Sequence, residues 1–170
     1  MLALTGVLFA AFVPTFIKHV HTSKLAEATE LLDSMHRHAA AYYEHAHAAA
    51  NSASRGCLPE PAGPFPLEPS VDPVEVDFAS DELGKPTWLA LGQIRPVRLR
   101  YSYEVGSPTP GCSPRQSHPS LTFRAHGDLD GDGNLSLLER TSVVETGVGG
   151  AIEQRQLVPR GPLRILSRVE

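Results

Sequence analysis

Asp128-Leu129-Asp130-Gly131-Asp132-Gly133-Asn134-Leu135-Ser136-Leu137-Leu138-Glu139 is the stretch of this 170-residue chain best equipped for chemistry. Acidic side chains stand at its first, third and fifth positions, a glycine at the sixth allows a sharp turn, Asn134 offers a backbone carbonyl, and Glu139 closes it. That order matches the ligand order of a twelve-residue calcium loop. Ca²⁺ takes roughly six to eight hard oxygens at about 2.3 to 2.6 Å, and three carboxylates this close repel one another without a cation. The expected ligands are the side chains of Asp128, Asp130, Asp132 and Glu139, the Asn134 carbonyl, and Ser136 directly or through water. The competing reading is an Asp/Gly-rich turn that holds no metal.

The loop resembles that of EF-hands, with one departure. Leu121 to Ala125 alternates as a strand where an EF-hand has a helix. A lone loop between that strand and an expected short helix over Ser136 to Val144 has no partner to open, so its expected role is a structural staple for residues 128–139. The eight histidines do not assemble a second centre. A helical pair sharing an ion needs a spacing of three or four, whereas His36 and His38 differ by two and His38 and His45 by seven; solvated helix faces are expected. No nucleophile and base pair, phosphate loop or paired carboxylates stand outside the calcium loop, so no enzyme is expected.

A loop of this kind needs a frame, and the N-terminal third gives its strongest signal. An apolar run from Met1 to Ile17 passes into a polar, stripe-bearing helix reaching about Ala50. Leu25, Ala28, Leu32, Met35, Ala39, Tyr43, Ala46 and Ala50 recur on one face of a 3.6-residue period, the docking stripe for a head. Asp33 and Arg37 have the spacing of an i,i+4 pair on the outside. Pro14 predicts a kink or a melted turn between Gly6 and itself. Lys18, His19, His21 and Lys24 mark an exit from lipid into water, so the helix is expected to be a membrane anchor continued as a stalk. At ~1.5 Å per residue the run reaches roughly 25 Å of a ~30 Å hydrocarbon core. A secretory signal peptide is the alternative, though no basic leader precedes the run.

Gly6-Val7-Leu8-Phe9-Ala10-Ala11-Phe12-Val13-Pro14-Thr15-Phe16, followed by Ser23-Lys24-Leu25-Ala26-Glu27-Ala28, resembles the N-terminal helix of type IV pilins and type II secretion pseudopilins. That family sets a Gly and a Pro eight residues apart in an apolar helix, and a Ser/Ala-Lys-x-x-Glu-Ala segment follows. The resemblance implies a minor pilin or pseudopilin in the bacterial inner membrane, its head in the periplasm or on an extracellular filament. Gly6, Pro14 and Phe16 would belong to the membrane and filament helix, and the partners would be other such subunits through that helix. The family's cleavage-site Gly, N-terminal Phe and fifth-position Glu would all precede Met1, so a start upstream is expected. Small residues such as Ala10, Ala11, Ala26 and Ala28 suit close helix packing. The alternative is a membrane-tethered periplasmic calcium-binding module that does not polymerise. Cys57 and Cys112 would lie outside the cytoplasm, where an even count favours a disulfide over two free thiols.

Composition bounds the rest. A net charge of −4 and no basic cluster beyond the membrane exit argue against nucleic acid. Pro59, Pro61, Pro64, Pro66 and Pro69 deny helix to residues 53–86, which are expected to wrap as an extended αβ-loop, with a disordered linker as the alternative. In the head, residues 87–170, Thr87 to Gly92 reads as a short helical or turn element, and Val97 to Val105, Ser120 to His126 and Leu163 to Val169 as strands. The expected fold is therefore α+β: a long N-terminal helix over residues 1–52 on a small antiparallel sheet of three to five strands.

Overall fold

A computed structural model of the chain describes residues 2–45, 47–49, 52–54, 56–108, 110–112, 119–146 and 155–167. Side chains are described for the same residues other than 2–22, 47–49, 52–54, 146 and 167. Helix α1 (Leu2–Glu44) opens the chain, and its stretch from Ser23 lies across a sheet. Ala28, Leu32, Met35, Ala39 and Tyr43 are buried there, with Leu25 and Leu31 half-buried beside them. Ala46 and Ala50, the end of the expected stripe, fall outside the described residues.

The helix stops well short of residue 52. Continued α-helix would bring the N–H of residue 47 to the Tyr43 carbonyl, but that carbonyl instead accepts from the Gly56 N–H at 3.0 Å. Gly56 has φ +80 and lies against the Tyr43 ring, where a Cβ would sit 3.1 Å from the hydroxyl oxygen. Between these anchors β1 (His47–Ala49) and β2 (Ser52–Ser54) pair antiparallel as a small ribbon.

The frame is mainly β, which corrects the expected α+β stalk on a small sheet. Strands β3 (Ala62–Phe65), β6 (Ser102–Gly106), β7 (Ser120–Gly127), β8 (Ser136–Thr146), β9 (Arg155–Pro159) and β10 (Arg164–Ser167) form one six-stranded antiparallel sheet. Its order is β10-β8-β7-β6-β3, and β9 continues the β10 edge by pairing with the later half of β8. A second ribbon joins β4 (Val74–Val76) to β5 (Val97–Leu99), and α2 (Lys85–Ala90) follows a 3-10 turn at Phe78–Ser80.

Period-two alternation in β7 sets the two faces. Leu121, Phe123 and Ala125 are buried, while Thr122, Arg124 and His126 are half-exposed. Register carries the pattern outward: Val105 and Tyr103 on β6 oppose Phe123 and Ala125, and Leu138 on β8 opposes Ala125. Phe78 packs on Trp88 at 4.8 Å between ring centres, and the Trp88 indole N–H donates to Asp81 at 2.7 Å. The Pro-rich stretch thus enters the core as well as wrapping it.

Two local expectations are revised. Ser136 to Val144 is strand, because β8 pairs with β7 in unbroken register from Gly127 opposite Ser136 to Ser120 opposite Val143, and Thr141, Val143 and Val144 are β-branched. Val97 to Val105 is two strands in two sheets, bent at Arg100 and Tyr101. Among the described residues no helix is long and apolar enough to cross a membrane. That overturns the expected single span and the inner-membrane placement drawn from it. Lys18 and Lys24 interrupt the apolar character of α1.

Candidate metal centre where helix and sheet meet

The β7 to β8 connection folds on its own carboxylates. Asp128 accepts the Gly131 N–H at 2.9 Å on one oxygen and the Gly133 N–H at 3.1 Å on the other. Asp130 accepts the Asp132 N–H at 3.2 Å, and Asp132 accepts the Asn134 N–H at 2.7 Å. Gly131 and Gly133 hold φ +80 and +85, a conformation glycine adopts without the Cβ penalty. These turns converge one carboxylate oxygen each of Asp128, Asp130 and Asp132 to within 4.8 Å of one another. The side chain and the backbone N–H of Asn134 hold the Asp132 carboxyl below its ordinary value.

Three oxygens at that spacing fit a cation with bond lengths near 2.3 to 2.6 Å on opposite sides. The remaining expected ligands stand differently. Ser136 is buried and its hydroxyl donates to the Gly127 carbonyl at 3.1 Å. Glu139 lies three residues along β8, about 10 Å by strand rise. Its Oε2 accepts from Arg124 Nε at 3.0 Å and its Oε1 lies 3.9 Å from Arg164. In an EF-hand a helix returns the twelfth residue to the ion; here an extended strand carries it away onto the open face of the sheet. The expected ligands that the structure brings together are therefore the carboxylates of Asp128, Asp130 and Asp132, a hard-oxygen set of the kind that suits Ca²⁺.

The sequence reading missed the residues that hold this loop to the helix. Lys24 Nζ donates to the Leu129 carbonyl at 2.6 Å, and the Leu129 side chain is buried in the core. One turn on, Glu27 accepts the Arg100 backbone N–H at 2.6 Å and its guanidinium at 2.9 Å. Arg100 in turn reaches the Val71 carbonyl at 3.2 Å, and Val71 packs against Gly131. A Lys and a Glu three apart, flanking an apolar stripe, were the available signal. Desolvation, together with the nearby Glu27 and Tyr101, pushes the buried Tyr103 hydroxyl far up.

Further along α1 an open cleft is lined by Glu30, Asp33, His36, Arg37, Arg140 and Pro159. Asp33 pairs with Arg140 of β8 across the cleft, rather than with Arg37 on its own helix. His36 is not solvated as expected; its Nδ1 lies 2.8 Å from Ser142 Oγ. Burial, then Arg140, lower its pKa, while Asp33 opposes them. His38 and His45 are exposed, His126 lies 3.4 Å from Glu104, and His118 is outside the described residues. Cys57 and Cys112 are bonded, beside a reciprocal backbone bridge of Leu58 and Gly111 at 3.1 and 2.9 Å. Gly6, Pro14 and Phe16 lie where only the course of α1 is described.

Comparison of the chain with protein-family models, curated proteins and solved structures finds no match to any of them.

Proposed function

We propose that this chain is a structural subunit, a minor pilin or pseudopilin in type, whose head is reinforced by Ca²⁺ at Asp128, Asp130 and Asp132. The observation that carries the reading is the way α1 is held: its apolar stripe lies on an antiparallel sheet, and Lys24 and Glu27 clamp the aspartate loop and the Arg100 bend at the start of that contact. A helix fixed to its head at this point transmits load between them. The disulfide and the metal loop serve the same end, since both restrain long connections in a small, loop-rich head. In this reading the partners are further copies or homologous subunits, met through the first turns of α1.

The assembly half is tested by a photo-crosslinker at Phe16 of the full chain in producing cells. Crosslinked ladders of two or more copies are expected; capture of no second copy would leave the calcium-binding module that does not polymerise. The calcium half is tested by thermal unfolding. Calcium at a hundredfold excess over its dissociation constant should stabilise by ~2.7 kcal/mol if only the folded loop binds. Asp130→Ala should abolish that gain, and identical melting curves in calcium and in chelator would remove the metal from the reading.

A further inference from the structure

The two outer edges of the large sheet carry opposite charge. At one end β3 pairs, among the described residues, with β6 alone, and α2 and the 3-10 turn pack beside it through Thr87 to the Glu60 carbonyl at 2.9 Å and Phe65 to Phe78 at 5.8 Å between ring centres. The chain from Glu60 to Glu82 that builds this flank contains seven acidic residues and no Lys or Arg. Lys85 of α2 is exposed beside it, and Arg98 and Arg100 donate to its Pro73 and Val71 carbonyls, so acidic groups outnumber basic ones there without standing alone. Glu60, Glu68, Asp77 and Glu82 are exposed on it, with Leu67 at 81% and Leu83 at 95% exposure among them. At the other end, the described span from Arg155 to Ser167 holds Arg155, Arg160 and Arg164 and no Asp or Glu. Ile165 and Leu166 are each 45% exposed on that edge.

We infer that the basic β9 and β10 edge of one copy docks on the acidic β3 flank of the next, head to tail. Four inter-strand steps separate the two edges, about 19 Å at the usual strand spacing, so a single copy cannot bring them together. Contact between them has to be made between copies. Each edge also offers apolar side chains inside its charged surround, the arrangement in which charge steers the approach and desolvated apolar contact holds it. Pairing of strand on strand is disfavoured at the β3 edge, where Pro64 and Pro66 have no N–H to donate, so the contact is made by side chains. A contact between two different patches repeats from copy to copy, giving a filament or a ring. The inference deepens the filament reading and rests on it for that repetition, while the complementarity of the edges stands on the charges alone.

Sedimentation velocity of the full chain over a concentration series tests it. Wild type should associate, and raising salt from about 50 mM to about 500 mM should weaken the association. Arg160→Glu with Arg164→Glu makes both edges acidic, and Glu68→Lys with Glu82→Lys lowers the acidic charge of the other flank. Each variant alone should associate at least about tenfold more weakly than wild type, and an equimolar mixture should recover association. Because Arg164 lies 3.9 Å from Glu139, Arg160→Glu alone repeats the comparison in a chain whose thermal midpoint is checked first. Variants that assemble as wild type does, or a mixture no better than its components, would overturn the edge contact and leave the filament reading standing. A wild type that stays monomeric throughout would overturn both.

Discussion

Under α1, Arg140 meets Asp33 and His36 meets Ser142; on the other face of the same strands, Arg124 stands between Glu104 and Glu139. The covered face is apolar at its centre, with Leu121, Phe123, Ala125 and Leu138 buried, and polar groups enter it toward its margins: Arg140 and Ser142 of β8 at the helix flank, and Tyr103 of β6 near Glu27. Among the described residues no helix lies over the open face, which is ordered by charge. Glu104, Arg124, Glu139 and Arg164 are register partners on β6, β7, β8 and β10, a row of alternating sign across four strands. A slip of β8 by one residue would turn Glu139 under the helix and Arg140 away from Asp33. Burial therefore supplies most of the stability on one side, and charge on the other makes the register costly to change.

Breaking each face in turn should expose that division. Phe123→Ala removes a fully buried ring beneath α1 and should cost about 3 to 5 kcal/mol in urea unfolding. A loss below about 1 kcal/mol would mean that the helix and sheet do not share a core in solution. Arg124→Met keeps the aliphatic stem on the open face but deprives Glu139, 11% exposed, of its 3.0 Å partner. With Arg124 itself 36% exposed and Arg164 still near, the expected cost is only about 1 to 2 kcal/mol. Adding Glu139→Gln should recover much of it, because the more buried of the two carboxylates that Arg124 pairs is then neutral, while Glu104 is more open to water; an additive double variant would show that the row does not act as a unit.

How far the sequence revealed this molecule follows the range of the forces involved. The stripe on α1 and the alternation of β7 were legible because each is a periodic, local pattern answered by one continuous surface. The aspartate cluster was legible for the same reason, since side chains two apart in a tight turn meet without help from the rest of the fold. Glu139 was not, because its place depends on whether Ser136 begins a helix or a strand, and β7 settles that by offering eight paired positions. The end of α1 was hidden because the Gly56 N–H, far along the chain, takes the carbonyl that a longer helix would have used. The break at Arg100 was hidden likewise, its N–H being taken by Glu27 at 2.6 Å rather than by a strand.

The smallest expected effect separates the faces by pH. His36 is packed against the Ser142 hydroxyl with Arg140 beside it, Asp33 opposite, and Glu30 and Arg37 on the cleft wall. Burial first, and Arg140 second, hold its pKa below the ordinary 6.5, so the folded chain resists a proton that the unfolded chain accepts. Above that value the ring is neutral in both states and contributes no pH dependence. As pH falls through 6.5 toward the folded value, the unfolded state binds more protons and stability is lost. Thermal midpoints taken from about pH 8 to about pH 5 should therefore fall more for wild type than for His36→Gln, which keeps a hydrogen-bonding side chain but cannot titrate. Parallel profiles for the two proteins would show that the ring takes up its proton as freely folded as unfolded, and that the helix flank is as open to water as the charged row on the far side of the sheet.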